Sequence, residues 1–290
     1  MNLKQKLIDI RCILADSHIE DPDIDAETLL RCATGLNRNE MYLEYGRELT
    51  GSETELLDSL IDRRLRGEPT SYIVGHKEFF GIDFEVNRSV LIPRPETELL
   101  VEKAIELARR REMSLIADVG TGCGAVAVAL ATHLPQCKIY AVDISQDALE
   151  VASANCAGNG FAGRVRLLCG NLLEPIPEPV DMIVANLPYV KDEDWGHLPD
   201  AIKAHEPRQA LAGGEDGLDV IKELLSTAKD KLRPGGVILI EIGYDQGAPV
   251  LKLASDILPR GQTALYTDLS GLDRLISIET KESDVQAAGA

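Results

Sequence analysis

Apolar residues near the start of the chain recur at helical spacing. Leu3, Leu7, Ile10 and Leu14 fall three or four positions apart, as one face of a helix requires. A second helix is expected from Asp25 through Leu29, Leu30 and Ala33, stopping at Gly35. Ser52 and Glu55 make a capping-box pattern before Leu56, Leu57, Leu60, Ile61 and Leu65, with Gly67 ending that helix. Residues 1–70 therefore read as a small helical bundle without an ionisable cluster that suggests chemistry. From Ser71 the period shortens. S-Y-I-V-G-H-K-E-F-F-G-I-D-F-E-V alternates apolar residues around Gly75 and Gly81, predicting a β-hairpin linker over residues 71–92.

Helical and strand patterns then take turns. Helices are expected over 96–111, 124–134, 146–158, 217–231 and 246–258, and strands over 115–119, 138–142, 165–168, 181–185 and 237–242. This alternation predicts an α/β domain over 93–280, a doubly wound and mostly parallel sheet. Its end is informative. A-L-Y-T (264–267) and L-I-S-I-E (275–279) are separated by too few residues for a parallel crossover, so they pair antiparallel. A parallel sheet with an antiparallel last strand resembles the class I S-adenosylmethionine-dependent methyltransferases, a Rossmann-like fold; dinucleotide folds usually continue in parallel. The final stretch, K-E-S-D-V-Q-A-A-G-A, has no periodicity, and a disordered tail is expected over 281–290.

D-V-G-T-G-C-G-A (118–125) follows a predicted strand and opens a helix. Glycines at 120, 122 and 124 remove side chains where the backbone must turn and approach a ligand. Gly120, Thr121, Gly122, Cys123 and Gly124 are thus the candidate cofactor loop. Gly120, Gly122 and Ala125 also satisfy a dinucleotide fingerprint, so the loop alone does not name the cofactor. Asp143 ends the next strand, where a carboxylate can accept both hydroxyls of a ribose; Ser145 is better placed to cap the helix that follows. Asn171, past the third strand, is a candidate for an adenine edge with Leu172 over a ring face, or else a plain loop residue.

The fourth strand ends in N-L-P-Y (186–189). Asn186 is placed at the carboxyl edge of the sheet, and Pro188 biases Leu187 towards an extended conformation that can aim its carbonyl outward. The Asn186 side-chain oxygen and the Leu187 backbone oxygen then offer two acceptors, which suit an NH2 group. Tyr189 offers a flat face and an electron-rich surface near a sulfonium.

N-L-P-Y resembles the Asn-Pro-Pro-Tyr motif of amino-group methyltransferases. With G-E-P-T-S-Y-I-V-G (67–75), I-P-R-P-E-T-E (92–98), A-V-D-I-S (141–145), L-A-G-G-E-D-G-L-D (211–219) and L-R-P-G-G-V-I-L-I-E-I-G (232–243), the chain resembles the HemK-type family, glutamine-N5 methyltransferases of peptide-chain release factors. R-P-E-T-E and the G-E-P-x-x-Y-I linker separate this family from adenine methyltransferases. The resemblance implies methyl transfer from S-adenosylmethionine to the glutamine of a Gly-Gly-Gln loop in a class-1 release factor. It also implies that Asn186, Leu187, Pro188 and Tyr189 hold the substrate and that Asn186 borders the cofactor. The separate bundle and the acidic chain point to residues 1–70 as a contact for the release factor, with simple support of the larger domain as the alternative. Position 187 is Leu where the family usually has Pro, and position 171 is Asn where Asp is usual.

Composition serves mainly to exclude. A formal net charge of −18 over 290 residues is unfavourable for binding a phosphate backbone, which weighs against an adenine-N6 methyltransferase acting on DNA or RNA. A nicotinamide oxidoreductase leaves N-L-P-Y unexplained, and a non-catalytic release-factor-binding module leaves Asn186 and Tyr189 without a task. The six cysteines are scattered without a C-x-x-C pair, so neither metal nor disulfide is expected. With no long apolar run and an amphipathic N-terminus, a cytoplasmic enzyme without membrane contact is expected.

Overall fold

The buried stripe Leu3, Leu7, Ile10 and Leu14 lies along α1 (Leu3–Asp16), as the spacing requires. The computed structural model describes residues 1–281, so the expected tail at 281–290 lies almost wholly outside the described residues. The chain divides into two compact units: Met1–His76 with Pro199–His205, and Lys77–Leu198 with the chain from Glu206 onward.

In the first unit α1 packs with α2 (Pro22–Thr34), α3 (Arg38–Leu43), α4 (Gly51–Leu65) and α5 (Thr70–Val74). Leu29, Leu30, Met41 and Leu57 lie at the centre of its core. Two details differ from the sequence reading. The capping box of α4 is Thr50 with Glu53, not Ser52 with Glu55. Glu53 accepts from Thr50 N at 2.8 Å and from both terminal guanidinium nitrogens of Arg47 at 3.0 Å, which places the helix start earlier. The stretch Thr70–Val74 is a helical turn, not a strand. Pro69 at its start and a left-handed Gly75 at its end delimit the turn, while Tyr72 and Ile73 are buried.

A hairpin of β1 (His76–Phe79) and β2 (Ile82–Glu85), all but its first residue in the second unit, is followed by α6 (Glu98–Arg110). The sheet of that unit is built from β3 (Leu115–Val119), β4 (Lys138–Asp143), β5 (Val165–Cys169), β6 (Val180–Asn186), β7 (Leu232–Glu241), β8 (Gln262–Thr267) and β9 (Asp273–Glu279). The spatial order is β5-β4-β3-β6-β7-β9-β8. All five residues of β3 are buried, as expected of a strand covered on both faces. Pairings from β5 through β7 are parallel. β9 runs antiparallel to both neighbours and enters between β7 and β8. The intervening helices are α7 (Ala125–His133), α8 (Gln146–Gly158), α10 (Asp219–Ala228) and α11 (Gly247–Ile257). A short helix, α9 (Asp200–His205), lies in the segment that clusters with the first unit.

The hairpin is tied to the sheet through Asn155 on α8. Its Oδ1 accepts from Glu85 N at 2.7 Å, and its Nδ2 donates to the carbonyls of Glu85 at 2.9 Å and Cys123 at 2.8 Å. Asn155 is buried, so Asn155→Ala strands polar groups away from water. The expected cost is about 1–3 kcal/mol in urea unfolding. A change below about 0.5 kcal/mol, the range of an ordinary surface substitution, would show that the hairpin is held by other contacts.

Candidate active site

The strand order reverses between β3 and β6, with β4 and β5 to one side and β7 to the other. Open α/β sheets bind ligands at the carboxyl edge of such a switch point. A cavity of about 240 Å³ opens there. Its wall takes in Gly120 and Gly122 after β3, Asp143 at the end of β4, Asn171 and Leu172 after β5, and Asn186, Leu187 and Pro188 after β6. Thr121, Cys123 and Gly124 support the loop from behind. The Thr121 hydroxyl donates to Asp118 at 2.6 Å, the Cys123 carbonyl accepts from Asn155, and a Cβ on Gly124 would lie 3.3 Å from the Ala152 Cβ.

Two glycines have different reasons for being glycine. A Cβ at 120 would sit 3.2 Å from Leu187 Cδ2 and 3.3 Å from the Asn186 carbonyl, so the loop touches N-L-P-Y directly. Gly122 has φ +54° and nothing within 4 Å of its Cβ position; it faces open space that a ligand can fill. Leu187 is only 3% exposed. Its side chain therefore belongs to the core as well, beyond the carbonyl role expected from the sequence.

Asp143 accepts from Gly122 N and Ser145 N, both at 2.9 Å, one on each carboxylate oxygen. Each oxygen keeps a lone pair for a ribose hydroxyl. Ser145, not Asp143, caps α8. Asn171 donates its Nδ2 to Glu223 at 2.5 Å, which leaves its Oδ1 as the group it can offer to a base. Leu172 has φ +44°, an uncommon backbone for a branched residue, and lines the cavity.

Around Asn186 the structure adds residues to which the sequence reading gave no role. Asn186 Nδ2 donates to Thr97 Oγ1 at 3.0 Å. Glu241, at the end of β7, pairs with Asn186 in the parallel register and is 3% exposed. Burial pushes the Glu241 carboxyl up to about 7; Thr97, Arg274 and Asn186 oppose the rise, and Glu96 adds to it. Tyr189 lies near Glu241 and Arg274, and burial, then Glu241, push its hydroxyl up to about 12. Gln246 donates to the Tyr189 carbonyl at 3.0 Å. Arg94 reaches the buried Glu206 at 2.5 Å, and Glu98 accepts from Phe80 N at 2.9 Å. R-P-E-T-E thus fastens three neighbouring parts of the unit. That motif was the available signal, but its partners lie far away in sequence.

The glycine cradle, the carboxylate of Asp143 and the adjoining cavity fit S-adenosylmethionine. Among the described residues, His, Cys, Asp and Glu form no metal-holding group, and no helix is long and apolar enough to cross a membrane.

The family description "Methyltransferase small domain" matches residues 95–202, and "PrmC N-terminal domain" matches residues 5–75. A solved methyltransferase from Pyrococcus furiosus shares the fold, with TM-score 0.52 and 18% identity over 76% of this chain and 97% of that one. The second unit is a class I S-adenosylmethionine-dependent methyltransferase. The release factor glutamine methyltransferase of Moorella thermoacetica is 42% identical over 94% of this chain and 97% of its own length. That of Koribacter versatilis is 40% identical over 95% and 98%. The chain belongs to the release factor glutamine methyltransferase family, which uses S-adenosylmethionine to methylate protein glutamine. Neither the adenine-N6 nor the nicotinamide reading stands beside that membership.

Asp118 gives the site a pH signature. Burial pushes its carboxyl up to about 7, against hydrogen bonds from Thr121 and Ala127 N. Asp118 and Glu241 hold protons in the folded chain that the unfolded chain releases at lower pH, so stability falls as pH rises through about 7. Between pH 6 and pH 8 the drop should be about 1.4 kcal/mol for each group, most of it below pH 7. Asp118→Asn should remove its share of that slope in urea unfolding. A variant that keeps the full wild-type slope would remove Asp118 as its source.

Proposed function

We propose that Asn186 and the Leu187 carbonyl hold the side-chain amide of the glutamine in a Gly-Gly-Gln loop of a class-1 release factor. One observation carries this reading. The Asn186 NH2 is engaged by Thr97, which leaves Oδ1 as the acceptor on a residue of the cavity wall beside the glycine loop. S-adenosylmethionine, when bound, supplies a methyl group made electrophilic by its sulfonium.

An amide nitrogen is a poor nucleophile because its lone pair is shared with the carbonyl. Accepting both of its hydrogens, at Asn186 Oδ1 and Leu187 O, favours a pyramidal nitrogen and aims the lone pair. No strong base is needed beforehand, since the proton can leave once the nitrogen is positive. Positioning of this kind can supply roughly 7–11 kcal/mol, and the acceptors gain strength as charge develops. In this reading Gly120, Thr121, Gly122, Cys123 and Gly124 form the cofactor loop, Asp143 the ribose acceptor, and Asn171 with Leu172 the adenine wall. Pro188 stiffens the acceptor loop, and Tyr189 backs it.

The first unit recognises the release factor, and the enzyme works in the cytoplasm. Ile24 at 65% and Leu43 at 87% exposure offer apolar contacts on that unit.

Asn186→Ala should lose about 2.7–4 kcal/mol of transition-state stabilisation, roughly 10²–10³ in rate, by analogy with an oxyanion-hole donor. Asn186→Asp, which keeps an oxygen, should retain more activity. Methyl transfer to a purified release factor, with cofactor affinity measured by calorimetry, checks both; a wild-type rate for Asn186→Ala removes the amide-holding role. A chain without residues 1–75 should bind cofactor yet methylate the intact release factor poorly. Full activity would show that recognition lies elsewhere.

A further inference from the structure

Asn186 can perform the proposed role only with one end of its amide forward. With the oxygen towards the substrate it accepts; rotated by half a turn, it would set NH2 against NH2. The two ends have nearly the same shape, so packing alone selects weakly between them. Hydrogen bonding must select, and a hydroxyl partner is insufficient because it both donates and accepts. Thr97 Oγ1 lies 3.0 Å from Asn186 Nδ2. Its own hydrogen needs an acceptor to fix the direction of that bond. A carboxylate is the side chain that only accepts when ionised.

Glu241 is placed for this. It is the β7 residue in register with Asn186, and the Thr97 hydroxyl and the Asn186 amide both favour its ionised form. Its Oε2 is buried and has no hydrogen-bond partner. A buried carboxyl with an oxygen left unsatisfied is costly for stability, and folding alone does not explain it.

We propose that Glu241 and Thr97 are positioning residues, which orient the Asn186 amide with its NH2 inward and its oxygen towards the substrate. The inference rests on the amide-holding role of Asn186. The ionised carboxylate takes the Thr97 hydrogen, Thr97 takes one from Asn186, and the chain of bonds has a single direction. A protonated Glu241 can instead donate to Thr97, and the direction is lost. The charged and titratable groups facing Glu241 are Glu96 before α6, Arg274 on β9 and Tyr189 after β6. With the Glu241 carboxyl pushed up to about 7, methyl transfer should rise with pH across that value.

Single-turnover methylation of a release factor between pH 6 and pH 8 tests this, with cofactor affinity measured alongside. Thr97→Val should lower the rate about tenfold, a change of roughly 1.4 kcal/mol in the barrier, without weakening the cofactor. Thr97→Ser, which restores the hydroxyl, should recover most of the rate. Glu241→Gln keeps the shape but cannot ionise, so it should be slower at pH 8 and lose the rise near pH 7. Wild-type rates for Thr97→Val, or a wild-type pH rise in Glu241→Gln, would overturn the inference. Asn186→Ala separates the two readings. If it is slow while the Thr97 and Glu241 variants are normal, only the positioning inference fails; if it is normal, the amide-holding role fails too.

Discussion

The second unit depends on the parallel pairing of β3 with β6. Asp118 on β3 stands opposite Val184, and Val119 opposite Ala185, so the two chains leave the sheet side by side. The turn after β3 carries the glycine loop and the turn after β6 carries N-L-P-Y. Their approach is close enough that a methyl group at residue 120 would press on both the Asn186 carbonyl and the Leu187 side chain. The glycine loop and N-L-P-Y are therefore one packed object. A shift of either strand by one residue would turn its side chains to the opposite face and separate the groups that must meet.

Much of this is legible in the sequence. Alternating helix and strand periods gave the order of elements, and the short link between A-L-Y-T and L-I-S-I-E required an antiparallel pair, which β8 and β9 form. The loop positions of Gly120, Gly122, Asp143 and Asn186 followed from strand ends, because strand ends in such a sheet share one edge. Thr97 and Glu241 were not legible as partners of Asn186. They lie 89 residues before it and at the end of a different strand, and periodicity says nothing about tertiary convergence. The turn at Thr70–Val74 escaped for a local reason: two adjacent buried residues, Tyr72 and Ile73, fit a strand pattern and a helical turn equally over so short a stretch. The sequence misplaces the capping box of α4 because it offers two overlapping candidates; the reciprocal Thr50–Glu53 bonds and the Arg47 contact to Glu53 select one of them.

The buried acids of the second unit show how the site differs from its scaffold. Arg94 with Glu206 and Asn155 with Glu85 are satisfied polar contacts that hold segments in place. Glu241 has one oxygen without a partner, and Asp118 is held in the core by a hydroxyl and a backbone amide without a cation. Both sit one turn or less from residues of the cavity wall. Incomplete satisfaction of a buried acid is destabilising, and among the acids of the described residues it falls on Glu241, at this edge of the sheet.

The place of β9 has a consequence for how the molecule is made. Among the described residues it is the last strand in sequence, yet it enters between β7 and β8. During synthesis β7 therefore emerges with one side unpaired, and β8 follows with no neighbour in the sheet. Unpaired strand edges are the surfaces through which partly folded chains associate. Only when residues 273–279 leave the ribosome can the sheet close. That same step brings Arg274 towards Glu241, so the charge environment beside N-L-P-Y is completed only after β9 has been translated.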